Sequence, residues 1–209
     1  MMSFFHIMKM LVTGGTVFVS RRIAEFFCTS GNEVFVLNRN TRAQVPGVQL
    51  IQADRHSLVP DSLSGYDFDV VIDVCAYREE DARILSSALG NNFSGEFIFI
   101  SSSAVYPETN IQSFSENQQC GANSVWGDYG TNKILCEKYY SSVFPNTYII
   151  RPPGLRPPPF KLRSYAHTPL TWFLKFKKFE FNISSHPQKN AIFQRISKYK
   201  EWEILIISS

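Results

Sequence analysis

The chain has 209 residues, 44% of them hydrophobic and 19% charged, with a net charge of +3. That composition can bury a core for one domain, or one and a half, and excludes disorder on compositional grounds. So small a net charge predicts neither nucleic-acid nor membrane binding by itself, and no run reaches the roughly 18–20 apolar residues of a membrane span.

In chain order, "MKMLVT" (8–13) is a short apolar run followed at once by glycine, and residues 17–29 read as a helix with Val19, Ile23, Phe26 and Phe27 near one face. Three strands follow, "EVFVLN" (33–38), "VQLIQAD" (48–54) and "DVVIDV" (69–74), each β-branched and bounded by Gly, Asn, Asp or Pro. The helix "REEDARILSSAL" (78–89) gathers its acids in the first turn, where the helix dipole favours them. "EFIFIS" (96–101) is a further buried strand. A helix from Tyr129 to Phe144 then leads to "TYIIRPP" (147–153), a last strand stopped by prolines. Continuous apolar strands separated by helices predict an α/β fold: a doubly wound parallel sheet covered by helices on both faces. Its ligand crevice lies beyond the C-terminal strand ends.

The positions that follow strands therefore carry the chemistry. "LVTGGTVFVSRRIAEFF" joins the first strand to the first helix, where a turn aims backbone N–H groups and a helix N-terminus at a pyrophosphate. Three glycine positions of the usual pattern are held by Gly14, Val17 and Ser20, so only the first glycine is kept and Val17 puts a branched side chain where a ligand approaches. After the second strand, Asn38-Arg39 replaces the usual acid, and a neutral amide beside a guanidinium suits a 2′-phosphate, hence NADP. Arg39 also reads as a solvated loop charge. Asp54, ending the third strand, is placed either to bond an adenine edge or to cap the turn behind it.

"YGTNK" sets Tyr129 and Lys133 four residues apart, on one face of a helix. A phenol ionises at about pH 10, too high for a general base. A nearby ammonium and an oxidised nicotinamide would both lower that value. "ISSSAVY" (100–106), leaving the fifth strand, supplies a hydroxyl to hold the substrate oxygen.

Taken in this order, "TGGTVFVS", "ISSSAVYPE", "YGTNK" and "IIRPP" resemble the NAD-dependent epimerase/dehydratase family of the extended short-chain dehydrogenase/reductases, over residues 8–154. The resemblance implies an NAD(P)-dependent epimerase, dehydratase or reductase acting on a nucleotide sugar in the cytoplasm, and members are often homodimers. It makes Tyr129 the acid/base, Lys133 its electrostatic partner and Ser102 the serine that holds the reacting oxygen, with Ser103 the neighbouring alternative. It sets Gly14, Thr16, Phe18 and Val19 along the phosphates, Cys75 and Ala76 beside the cofactor with Tyr129 and Lys133, and Asn38, Arg39 and Asp54 on its adenosine side. NAD and NADP both stay open. The two lost loop glycines resemble the family's atypical branch, where cofactor use varies and some members bind RNA or do no catalysis. A catalytically inactive nucleotide-binding module, RNA-associated in one version, is the alternative reading.

The text changes after Gly154. All eleven glycines lie at or before it, although usage of roughly 7% would put about four in the last 55 residues. Residues 155–209 hold ten Lys/Arg against three Glu, +7, whereas residues 1–154 hold eleven against fifteen acids, −4. Residues 1–154 are thus expected to form the dinucleotide-binding domain. Residues 155–209 are a frameshifted or misjoined remnant, a divergent substrate region, or a basic-aromatic surface suited to single-stranded nucleic acid or anionic lipid. "FKKFEFNI" reads as an amphipathic strand, and "EWEILIISS" (201–209) ends in an apolar run. The four cysteines, Cys28, Cys75, Cys120 and Cys136, form no CxxC pair and have no matching histidines, so free thiols are expected and a metal is not. "MMSFFHI" lacks a cationic region and a cleavage site, which makes it a poor signal peptide, and Met8 reads as an alternative start.

Overall fold

The computed structural model describes residues 7–108, 118–152 and the backbone of 206–208. The strands are β1 (Lys9–Thr13), β2 (Glu33–Asn38), β3 (Gln49–Gln52), β4 (Val70–Asp73), β5 (Glu96–Ile100), β6 (Thr147–Ile150) and β7 (Ile206–Ser208); the helices are α1 (Phe18–Thr29), α2 (Glu79–Leu89) and α3 (Asp128–Val143). Each of the first six strands falls within or on the run that the sequence marks for it. The sheet order is β3-β2-β1-β4-β5-β6-β7, parallel throughout except for β7, which pairs antiparallel with β6. The chain reverses its direction of travel across the sheet between β1 and β4, and the loops after those two strands splay apart to leave a crevice. The readings of residues 155–205, "FKKFEFNI" included, lie outside the described residues.

Both faces of the central strands are buried, as right-handed crossovers in an open parallel sheet demand. One face sends Leu11, Phe35, Leu37, Val71, Phe97 and Phe99 against Ala82, Leu85, Ala88 and Leu89 of α2 and Cys136, Tyr140 and Phe144 from α3 and its end. The alternate residues Met10, Val12, Val34, Val36, Val70 and Ile72 are equally buried on the opposite side, with Ala24 and Phe27 of α1 among the core. Within the first face the aromatic rings are stacked closely: Phe97 lies 4.3 Å from Tyr140 and 4.5 Å from Phe144 by ring centroid, and Phe93 packs edge-on against Phe144 at 5.3 Å. The aromatic column fastens α3, the helix carrying Tyr129 and Lys133, to β5.

Local signals end the elements. The Asp81 carboxylate accepts the backbone amides of Tyr77 (2.8 Å) and Arg78 (2.9 Å), so the acid-rich first turn of α2 caps its own N-terminus. Asp54 accepts the His56 amide at 3.0 Å and starts a single-turn helix at Arg55–Ser57, which cuts β3 short of its expected end. Replacing Phe97, fully buried, with Ala should cost about 3–5 kcal/mol, read as a lowered urea midpoint.

Candidate active site

The turn after β1 brings backbone to the mouth of the crevice. Gly14 and Gly15 have φ of +88° and +80°, in the left-handed region that glycine enters without strain. A Cβ on Gly14 would stand 3.0 Å from both Cys75 Sγ and Ser20 Oγ; one on Gly15 would meet Val36 Cγ1 at 2.5 Å. Val17 adopts an extended conformation at the N-cap of α1 and is 49% exposed, so its branched side chain is not packed into the turn. The strain moves one residue on instead: Phe18 takes φ +46°, where a β-carbon is disfavoured. Ser20, in the third glycine position, is buried and donates its hydroxyl to Val17 O at 2.9 Å, and thereby fits the close helix–strand contact. Thr16 and Val19 are half-buried beside it. No side chain caps α1 and no acid sits in its first turn, which leaves the N-terminal end electropositive.

Beyond β2, Asn38 donates Nδ2 to Gly14 O at 2.6 Å and to Gln44 Oε1 at 3.0 Å, so its amide braces the phosphate turn. Arg39 is solvent-exposed, with Nη1 3.9 Å from the Asp54 carboxylate. The Asp54 carboxyl is held below its ordinary value, chiefly by the His56 amide that it caps. The capping reading of Asp54 is the one the geometry shows, with Arg39 beside it.

At the other end, the Ser102 side chain faces the Tyr129 phenol and favours its ionised form, and the Lys133 ammonium lies 5.9 Å from the Tyr129 ring centroid. Lys133 is buried, donating Nζ to Ala76 O at 2.7 Å and to Ile100 O at 3.0 Å, beneath the rings of Phe99 and Tyr77. Ser102 also accepts the Ala104 amide at 3.1 Å, while the Ser103 amide donates to Pro152 O. Tyr77 and Trp126 flank Tyr129, each with its ring centroid 6.3 Å away. The structure thus brings Tyr129, Lys133 and Ser102 together with Ala76, and Cys75 carries that line back to Gly14. Burial pushes the Tyr129 phenol above its ordinary value, and the Ser102 side chain opposes that rise. Burial also lowers the Lys133 ammonium, against the pull of Asp73.

Asp73 escaped the sequence reading. It ends β4, is fully buried, and accepts from Thr13 Oγ1 (2.6 Å), Arg55 Nη2 (2.6 Å), Tyr140 OH (2.5 Å) and the Cys75 amide (3.0 Å). A carboxylate inside the run "DVVIDV" was the signal, because a buried charge needs partners. Burial alone would raise its pKa, but the Arg55 charge and the bonds from Thr13 and Tyr140 hold it below the usual carboxylate value. Arg55 Nε and Nη1 are buried without a hydrogen-bond partner. Among the described residues, no group of three His, Cys, Asp or Glu is placed to hold a metal ion, and no helix is long and apolar enough to cross a membrane.

No protein-family model and no curated protein matches the chain. Solved structures do. An NAD-dependent NDP-hexosamine 5,6-dehydratase, TunA, of tunicamycin biosynthesis superposes with a TM-score of 0.56 at 20% identity, over 69% of this chain and 54% of its own. The Bordetella bronchiseptica enzyme WbmG, in complex with NAD and UDP, gives 0.52 at 14% identity over 69% and 52%. A UDP-N-acetylglucosamine 4-epimerase from Methanobrevibacter ruminantium M1, in complex with UDP-N-acetylmuramic acid, gives 0.53 at 20% over 66% and 51%. The chain spans about half the length of these relatives and shares their fold.

Because Asp73 titrates lower folded than unfolded, its contribution is present above an unfolded value of about 3.9 and fades as pH falls through the folded one. Asp73→Asn, which leaves Arg55 buried without its counter-charge, should destabilise by about 3–5 kcal/mol near neutrality, with the gap closing as pH is lowered toward acid unfolding. Thermal unfolding of both proteins across that pH range measures it.

Proposed function

We propose that the protein is an NAD(P)-dependent enzyme of nucleotide sugars, an epimerase, dehydratase or reductase that works by transient hydride transfer with Tyr129 as acid/base. The observation that carries this reading is the meeting of Tyr129, Ser102 and Lys133 at one end of the crevice whose other end is a glycine turn and an uncapped helix N-terminus. The groups present fit a dinucleotide: Gly14 lets backbone approach closely, the start of α1 faces phosphates, and Arg39 and Asp54 border the adenosine end. TunA and WbmG, with the same fold, are NAD-dependent and NAD-bound respectively.

A bound dinucleotide would supply the hydride acceptor, or in its reduced form the donor, for the sugar carbon. Tyr129 takes the proton of the substrate hydroxyl as that carbon is oxidised, and gives it back on reduction. Ser102 holds the same oxygen through its hydroxyl. Lys133, fixed to the Ala76 and Ile100 carbonyls, supplies fixed positive charge beside the phenol and so favours its ionised form in the transition state.

A second reading, a nucleotide-binding module without turnover, is favoured by the strained Phe18 and by the upward pull of burial on Tyr129. Titration with the four nicotinamide dinucleotides separates the two. A specific one at a hundredfold excess over its Kd should stabilise the chain by roughly 2.7 kcal/mol in a thermal-shift assay. Tyr129→Phe should then abolish turnover and leave that shift nearly intact. Failure of all four to shift the chain would end the enzyme reading.

The Arg39 guanidinium, exposed and paired with Asp54 only at 3.9 Å, supports a role in meeting a 2′-phosphate. Arg39→Ala should weaken NADP binding by about tenfold and leave NAD binding nearly unchanged, as read by reduced-nicotinamide fluorescence.

A further inference from the structure

Helix α3 carries Tyr129, Lys133 and Glu137 at intervals of four, so the three share one face. The first two belong to the proposed chemistry. Glu137 is buried one turn further on, with both carboxylate oxygens taken: Oε1 accepts from Ser101 Oγ at 2.5 Å and Arg151 Nε at 2.9 Å, and Oε2 accepts from Arg151 Nη2 at 2.6 Å. Arg151 in turn donates Nη1 to Tyr106 OH at 3.0 Å. These groups come from the end of β5, the turn after it, α3 and the segment after β6. The serine segment is also pinned through its backbone, with the Ser101 amide donating to Ile150 O at 2.7 Å and the Ser103 amide to Pro152 O at 3.0 Å. On the other side of the Ser102–Tyr129 pair, Gly130 lies directly against the Ala104 carbonyl oxygen, into which any Cβ would drive. The helix and the serine segment are therefore held at a set spacing from both sides of the catalytic pair.

We infer that Ser101 and Glu137, anchored by Arg151, are positioning residues: they fix the distance between the serine segment and α3, and with it the approach of Ser102 to Tyr129. This rests on the reading of Tyr129 and Ser102 as the acid/base pair. Loss of the Ser101 hydroxyl removes the side-chain tie between the serine segment and Glu137 while leaving the Glu137–Arg151 ion pair in place. The groups around Tyr129 are Ser102 from the serine segment, Tyr77 from the β4–α2 connection, Trp126 ahead of α3 and Lys133 on its own helix; of these Ser102 pulls its ionisation down against burial. A slackened approach of Ser102 therefore moves Tyr129 upward.

The test uses the full chain labelled at tyrosine Cζ, with the Tyr129 NMR signal assigned by its loss in Tyr129→Phe and followed against pH. Ser101→Ala should raise the Tyr129 midpoint by about half a unit or more, and Ser101→Thr, which keeps the hydroxyl, should return it. With UDP-glucose and NAD as probes, Ser101→Ala should lower kcat by about 10- to 100-fold and leave KM and NAD affinity within about twofold. A Tyr129 titration in Ser101→Ala that superimposes on the wild type, or an unchanged kcat, would overturn the inference. A wild-type chain without turnover would instead count against the enzyme reading, and the titration, which needs no substrate, would still decide the role of Ser101. If circular dichroism finds Ser101→Ala unfolded, Ser101→Cys, near in volume and weaker as a donor, carries the same comparison.

Discussion

A single buried carboxylate holds the crevice together. Asp73 reaches the switch point at the end of an apolar strand, and a charge there is tolerable only because donors from four other places converge on it. Each donor adjoins a functional segment. Thr13 leads into the glycine turn, Arg55 follows Asp54, the Cys75 amide opens the stretch against which Lys133 is anchored, and Tyr140 sits on the helix of Tyr129. The cost of burying one charge is thus converted into agreement among elements that sequence alone leaves independent.

Glu137 repeats the device one turn away on α3. A buried ion pair adds little net stability compared with apolar packing of the same volume, so its value lies in specifying geometry. Two such clusters, one through Tyr140 and one through Glu137, fix the C-terminal half of α3 in position. The apolar stack of Phe97, Tyr140 and Phe144 supplies the adhesion that the charged clusters do not.

The fold was legible in the sequence because parallel strands buried on both faces leave unbroken apolar runs, and "EVFVLN" and "EFIFI" could hardly be anything else. The convergence of Tyr129 with Lys133 was legible for the same kind of reason, a fixed helical spacing. Asp73, Arg55, Glu137 and Arg151 were not, since their roles depend on partners 14 to 67 residues away, which no local period encodes. The burial that pushes the Tyr129 phenol up was not legible, because charge proximity can be read from spacing, whereas the flanking rings of Tyr77 and Trp126 come from outside the motif. Val17 looked like an obstruction; the backbone answered by placing the strain on Phe18.

The separations also bear on how the chain reaches this state. Thr13 and Asp73 are 60 residues apart, and Asp73 and Tyr140 a further 67, while β1, α1 and β2 can collapse on one another early through short connections. Contacts that close such large loops form late, because the entropy of closure is spent before the contact rewards it. The crevice is therefore assembled last, and a nascent chain is without it until α3 has emerged and docked.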